Sequence, residues 1–299
     1  MYDLIIVGGG PAGLTAGIYS ARYRLNTLII AEILGGTALE ASMIENYPGF
    51  KFIKGLDLIQ KMAEQVRALG VPIKEAKITR INKEDGCFRL FSDTEEFEAK
   101  RIILALGTIR RKLSIPDEDR FMGRGVSYCV HCDAPIFRNK IVGVIGGRNA
   151  AVMAALLLGD YATKVYLIYR REKLNSEPMW TERVLKHDKI EVIYNANVVE
   201  LKGDNFLTGI KLDNGVELDM QGLFVEIGAT PTNVLAAELG LSLDEKGYMH
   251  VDANNATNVE GVFAAGDCTT GSAEFRQITT AVGEGTVAAF SAYKSLQVK

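Results

Sequence analysis

Cysteine is scarce in this chain: 299 residues hold four, at positions 87, 129, 132 and 268. That is too few to staple a chain of this length as a disulfide scaffold. Charge of one sign is missing too. Lys and Arg number 34 against 37 Asp and Glu, for a formal net charge of −3. No basic block or stripe stands out, which argues against nucleic acid as a partner. The longest apolar stretch, near Ala150 to Gly159, is too short to span a bilayer. The amino terminus runs from Tyr2-Asp3 straight into an apolar strand, without a cationic region or a small-residue cleavage site. The expectation is a soluble, cytoplasmic protein with no membrane partner.

Apolar residues make up 47% of the chain, enough for one large or two medium cores. Asp3-Leu4-Ile5-Ile6-Val7 is a short apolar run ending in glycines, as a buried parallel strand does. Gly8, Gly10 and Gly13 then fit G-x-G-x-x-G, with Pro11 and Ala12 between, ahead of helically spaced apolar residues to about Tyr23. A second strand, Thr27 to Ala31, closes on Glu32. This is one βαβ unit with a dinucleotide fingerprint. The glycines permit a tight turn, close approach to a pyrophosphate and close helix–strand packing, and the acid suits a ribose hydroxyl. The motif alone does not separate FAD from NAD.

The pattern returns at mid-chain. Lys140 to Ile145 is a strand, Gly146-Gly147-Arg148-Asn149-Ala150-Ala151 a turn, and a helix runs to about Leu158. Lys164 to Tyr169 is the second strand, ending in Arg170-Arg171. On the same template Arg148 takes the place of the second glycine. It either obstructs a pyrophosphate or pairs with one. Arg170 and Arg171 suit a 2′-phosphate, and equally suit a solvated surface. Each unit is followed by alternating segments, about Ile73–Ile103 and Val198–Leu218, that predict β-meanders. A strand running into Gly266-Asp267 and a helix over about Gln277–Leu296 finish the chain. The fold class is therefore α/β, with two Rossmann-like units, the second degenerate.

Cys129-Val130-His131-Cys132 is the chemical centre. Zinc would need two further ligands, and Cys87, Cys268, His187 and His250 stand at no ligand spacing, so no metal is expected. A CxxC ahead of a helix brings two sulfurs within bridging reach and favours thiolate. Such a pair cycles by thiol–disulfide exchange. Asp133 is placed to handle thiol protons, or to cap a helix.

Taken in order, Gly8 to Gly13, Gly35-Gly36, Glu45 to Gly49, Ser127 through Asp133, Gly266-Asp267 and Arg276-Gln277 resemble the low-molecular-weight thioredoxin reductases. The resemblance covers the whole chain. It implies FAD on the first unit, with Gly8, Gly10, Pro11, Ala12, Gly13 and Glu32 at the ADP half. Gly35, Gly36 and Asn46 would lie near the flavin ring or ribityl chain, and Gly107 would also bind the cofactor. Gly266-Asp267 would hold ribityl and pyrophosphate, and Arg276-Gln277-Ile278 would cover the ring edge. It implies an FAD domain built from residues 1–114 and 242–299, with residues 115–241 inserted as an NAD(P)-like domain carrying the CxxC. Cys132 would face the flavin, Cys129 would attack the disulfide of a thioredoxin or glutaredoxin-like protein, and Asp133 would handle the proton. The family is homodimeric.

Three departures from the family pattern stand out. Its usual G-G-G-x-S-A turn is Gly146 to Ala151 here, its H-R-R-x-x-x-R is Tyr169 to Asn175, and its Gln after the early Gly-Gly is Thr37. The donor site at Gly146, Gly147, Arg148, Arg170 and Arg171 is thus compatible with NADPH. It is also compatible with the reduced ferredoxin or reduced deazaflavin used by relatives that have lost these motifs. Two other readings stay open: a flavin-dependent dithiol oxidase using oxygen, and a non-enzymatic flavoprotein redox module.

Overall fold

The computed structural model describes residues 1–41, 44–84, 86–272 and 275–297; the side chains of Glu40, His131 and Cys132 lie outside that description. The chain divides into two compact units. One comprises Met1–Ile109 with Thr230–Lys299, the other Arg110–Ala229. The fold is thus α/β, with one nucleotide-fold unit inserted into the other.

In the first unit the sheet order is 73–75, 27–34, 2–9, 96–104, 87–92, 78–84, with 262–264 also paired to 96–104. Strands Tyr2–Gly9, Thr27–Leu34, Ile73–Glu75 and Val262–Ala264 join it in parallel. The runs Leu4-Ile5-Ile6, Ile29-Ile30 and, in strand 96–104, Ile102-Ile103-Leu104 are fully buried. Parallel strands are covered on both faces, so a continuous apolar run is required where an alternating one would suffice elsewhere. Residues 78–84, 87–92 and 96–104 form the expected meander, in antiparallel pairing. The helix Pro11–Arg22 starts with proline at its first position, where a missing N–H costs nothing. Helix Ile278–Gln297 packs on it through Gly285, whose Cα approaches so closely that a Cβ would lie 2.2 Å from the Ala12 carbonyl oxygen.

In the second unit the sheet order is 190–194, 164–169, 141–145, 222–225, 126–127, all parallel. Helix Asn149–Tyr161 covers one face through Val152, Ala155 and Leu158. Residues 198–219 form a separate three-stranded antiparallel sheet, the second expected meander. The chain passes between units at Ile109–Arg110 and Ala229–Thr230, whereas the sequence suggested 114/115 and 241/242. The later passage is displaced because the short helix Val234–Glu238 buries Leu235 and Ala236 in the first unit's core. Among the described residues no helix is long and apolar enough to cross a membrane.

Candidate functional site: a dinucleotide cradle and a redox turn

The first glycine turn is shaped by contact. Gly8 has φ +121°, and a Cβ there would lie 2.1 Å from the Ala105 carbonyl oxygen. A Cβ at Gly13 would lie 1.9 Å from the Gly8 carbonyl oxygen, so the helix sits directly on the turn. Gly10 differs. A Cβ there would meet only the Gly35 carbonyl oxygen, at 3.9 Å, which leaves open space over the helix N-terminus. The Gly35 N–H donates to the Gly9 carbonyl at 2.8 Å, and Gly35 and Gly36 both take positive φ. These turns together form a cradle of backbone suited to a diphosphate.

Of the other predicted residues of this unit, the Gly266-Asp267 turn adjoins the cradle, and Asn46 meets Gln277. A Cβ at Gly266 would lie 2.9 Å from the Ala12 Cβ, so the Gly266-Asp267 turn abuts the start of the first helix. Burial pushes the Asp267 carboxyl above the ordinary aspartate range; Arg276 opposes the shift and the charge of Glu284 adds to it. Arg276 Nε donates to the Asp267 carbonyl at 3.1 Å, and its guanidinium stacks over Tyr248 at 3.7 Å. Asn46 Nδ2 donates to Gln277 Oε1 at 2.9 Å, and Ile278 opens the long helix. Gly107 takes φ +64° and its carbonyl accepts from Thr232 N–H. Glu32 is exposed within strand 27–34 and pairs with Lys77 at 3.2 Å.

One residue here escaped sequence reasoning. Glu284 Oε2 accepts from Gly266 N–H at 2.8 Å and from Thr269 Oγ1 at 2.7 Å, while Oε1 accepts from the Ser272 hydroxyl. Its only signal was a lone carboxylate between Gly283 and Gly285 in a mostly apolar helix.

The second glycine turn repeats the first, with one change. Gly146 has φ +139°, and a Cβ would lie 2.3 Å from the Glu226 carbonyl oxygen. Arg148 (φ −101°, ψ −179°) has nearly the backbone of Gly10 (φ −76°, ψ −175°), so arginine is tolerated without strain. Its side chain leaves from the position that Gly10 keeps open. Asn149 Nδ2 donates to Glu177 Oε1 at 2.9 Å and Asn149 Oδ1 accepts from Glu177 N–H at 2.8 Å, locking two helix starts together. Arg170 and Arg171 are exposed.

Cys129 is disulfide-bonded, whereas Cys87 and Cys268 are free. The side chain of the predicted partner Cys132 lies outside the described residues. The buried Ser127 accepts from Cys129 N–H at 3.0 Å and donates to the Cys129 carbonyl at 3.3 Å, fixing that backbone. The helix expected after the pair is a single turn, Val130–Asp133, that contains the second cysteine. Asp133 precedes the 3₁₀ turn Ala134–Phe137 and makes no side-chain capping bond to it, which disfavours the capping role. Cys268 is fully buried, and burial pushes its thiol up to about 12, so it stays protonated and unreactive.

Residues 2–285 match the family described as pyridine nucleotide-disulphide oxidoreductase. The thioredoxin reductase of Treponema pallidum is 40% identical over 298 residues, covering 97% of this chain and 96% of that one. The crystal structure of Lactococcus lactis thioredoxin reductase is 38% identical, with a TM-score of 0.96 over 99% of both chains. A ferredoxin-flavin thioredoxin reductase structure from Clostridium acetobutylicum is 33% identical, with a TM-score of 0.56 over 100% of this chain and 99% of that one. The chain therefore belongs to the pyridine nucleotide-disulphide oxidoreductases, in the low-molecular-weight thioredoxin reductase family.

Proposed function

We propose that this chain reduces the disulfide of a thioredoxin-like protein, glutaredoxin-like proteins included, through Cys129 and Cys132, and does so as a homodimer. The observation that carries the reading is the bonded Cys129, pinned by Ser127 four residues ahead of an uncapping Asp133. Membership of the family implies FAD, and the first unit fits it. Gly8, Gly10, Pro11, Ala12 and Gly13 offer a diphosphate cradle, Gly35, Gly36 and Gly107 supply backbone turns, and Asp267 is a half-buried carboxyl beside the cradle. Glu32 would hold the ribose, and Asn46, Arg276, Gln277 and Ile278 the ring end. When bound, FAD accepts electrons from a donor and delivers a pair to a disulfide.

In this scheme the pair cleaves the Cys129–Cys132 bond, giving two thiols with uptake of two protons. The Cys129 thiolate then attacks one sulfur of the partner's disulfide, and the partner's other sulfur leaves. Cys132 attacks Cys129 in the mixed disulfide, which releases the reduced partner and restores the internal bond. Asp133 holds the proton exchanged with the leaving thiolate. The test is direct. Cys129→Ser and Cys132→Ser each abolish reduction of a thioredoxin disulfide while flavin binding survives. Parental rates in both variants would contradict the scheme.

For the donor, the second turn argues against a dinucleotide docked as on the first. Arg148 projects where Gly10 leaves room, and Gly147 is backed by the Tyr169 ring, 2.4 Å from where its Cβ would lie. We infer a donor such as reduced ferredoxin or a reduced deazaflavin. Exposed Arg170 and Arg171 favour NADPH as the second reading. Anaerobic flavin bleaching by NADPH, NADH, reduced deazaflavin and reduced ferredoxin, each alone, decides between them. Rapid bleaching by NADPH would establish the second reading.

A further inference from the structure

Glu118 is a carboxylate with 5% relative exposure, yet the redox scheme gives it no task. Its Oε2 accepts from Ser114 N–H at 2.6 Å, and its Oε1 accepts from Leu113 N–H at 3.0 Å and from the Tyr128 hydroxyl. Leu113 N–H also reaches the Tyr128 oxygen at 3.0 Å. Burying a carboxylate is costly unless its lone pairs are met, and these donors meet them. The arrangement also holds two residues in the left-handed region, Ser114 at φ +59° and Asp117 at φ +64°. Non-glycine residues keep that conformation only where their surroundings fix it. The cluster is therefore specified, and what it grips is Tyr128, the residue bonded to Cys129.

The backbone entering the redox turn is thus held twice. Ser127 binds the N–H and carbonyl of Cys129. Tyr128, like Leu113 and Ile115, packs against the core that holds Phe121 and Val126, and ties its hydroxyl to Glu118. We propose that Glu118 and Tyr128 are a positioning pair that holds Cys129 ready for bond formation, and so set the balance between its disulfide and the dithiol. The inference rests on the Cys129–Cys132 reading. A thiol whose backbone is already fixed loses less freedom when the bond closes, so the disulfide is favoured.

Tyr128→Phe keeps the ring and removes the hydroxyl. It is expected to make the disulfide easier to reduce by about fivefold, the weight of one ordinary hydrogen bond. For a two-electron couple that is about 20 mV toward a more oxidising potential. Glu118→Gln is expected to shift the potential the same way and further, since Ser114 N–H loses its charged acceptor. The readout is the midpoint potential of the holoenzyme's Cys129 disulfide, from alkylation and peptide mass spectrometry across dithiothreitol redox buffers. Unfolding midpoints are measured alongside. A merely structural pair would lower the unfolding midpoint and leave the potential unmoved, and that result in Tyr128→Phe overturns the proposal. Tyr128→Phe alone decides the matter if Glu118→Gln does not fold. The measurement needs no protein partner. Failure of the parent chain to reduce any thioredoxin would count against the functional reading, while the potential comparison would still test this one.

Discussion

Glu284 and Gly266 meet across 18 positions of sequence, the carboxylate Oε2 accepting the backbone N–H at 2.8 Å. With Thr269 and Ser272 on the same carboxylate, one side chain fixes the whole turn that carries Asp267. Glu284→Ala should therefore loosen flavin. Hydrogen bonds to a charged group contribute about 1.5–3 kcal/mol each, so a loss of affinity of roughly tenfold to a hundredfold is expected. Flavin fluorescence after ultrafiltration measures it. Unchanged retention would show that the turn holds itself.

Asp267 predicts a pH dependence. Its folded pKa is raised, chiefly by burial, so the folded protein binds this proton more tightly than the unfolded chain does. The stability it contributes is complete below the ordinary aspartate range and is lost as pH rises through the raised value. Thermal melts of flavin-stripped protein should show parent and Asp267→Asn diverging over that window. The parent's relative stability should fall as pH increases. A difference independent of pH would contradict the assignment.

Two glycines in one helix should behave oppositely. A Cβ at Gly285 would lie 2.2 Å from the Ala12 carbonyl oxygen, whereas a Cβ at Gly283 would have nothing within 4 Å. Gly285→Ala should destabilise by about 1–3 kcal/mol or more, as overpacking does, and should also disturb the cradle that begins at Ala12. Gly283→Ala should stabilise by roughly 0.5–1 kcal/mol through the unfolded chain and helix propensity. Urea unfolding of both variants checks the pair.

Arg148→Gly restores at the second turn the open position of the first. If Arg148 keeps a dinucleotide off this turn, the variant should bleach its flavin with NADPH faster than the parent by tenfold or so, the scale of about 1.4 kcal/mol. Stopped-flow absorbance measures this. A slower variant would mean that Arg148 pairs with the nucleotide's phosphate.

Both nucleotide units were legible in the sequence because the first strand of each announces itself as an apolar run ending in glycine. Gly8 and Gly146 mark the turns by a conformation other residues avoid. The meanders were legible from alternation. The turn at Gly266 was legible as a motif, but not its support, because Glu284 is eighteen residues away and a single carboxylate has no period. Glu118 was hidden for the same reason: its partners Leu113 and Ser114 offer backbone N–H groups, which any sequence supplies. The helix expected after the pair begins inside it, at Val130, and gives way after one turn to the 3₁₀ turn Ala134–Phe137, which carries Pro135. The later passage between units precedes Leu235 and Ala236, which join the first unit's core by tertiary packing that no local motif announces.

In the proposed cycle electrons received by the flavin pass to the Cys129 disulfide. Anaerobic reductive titration of the parent and of Cys129→Ser, followed by flavin absorbance, tests it most directly. The parent should take up one more electron pair per flavin than the variant. Equal uptake by the two proteins would contradict it.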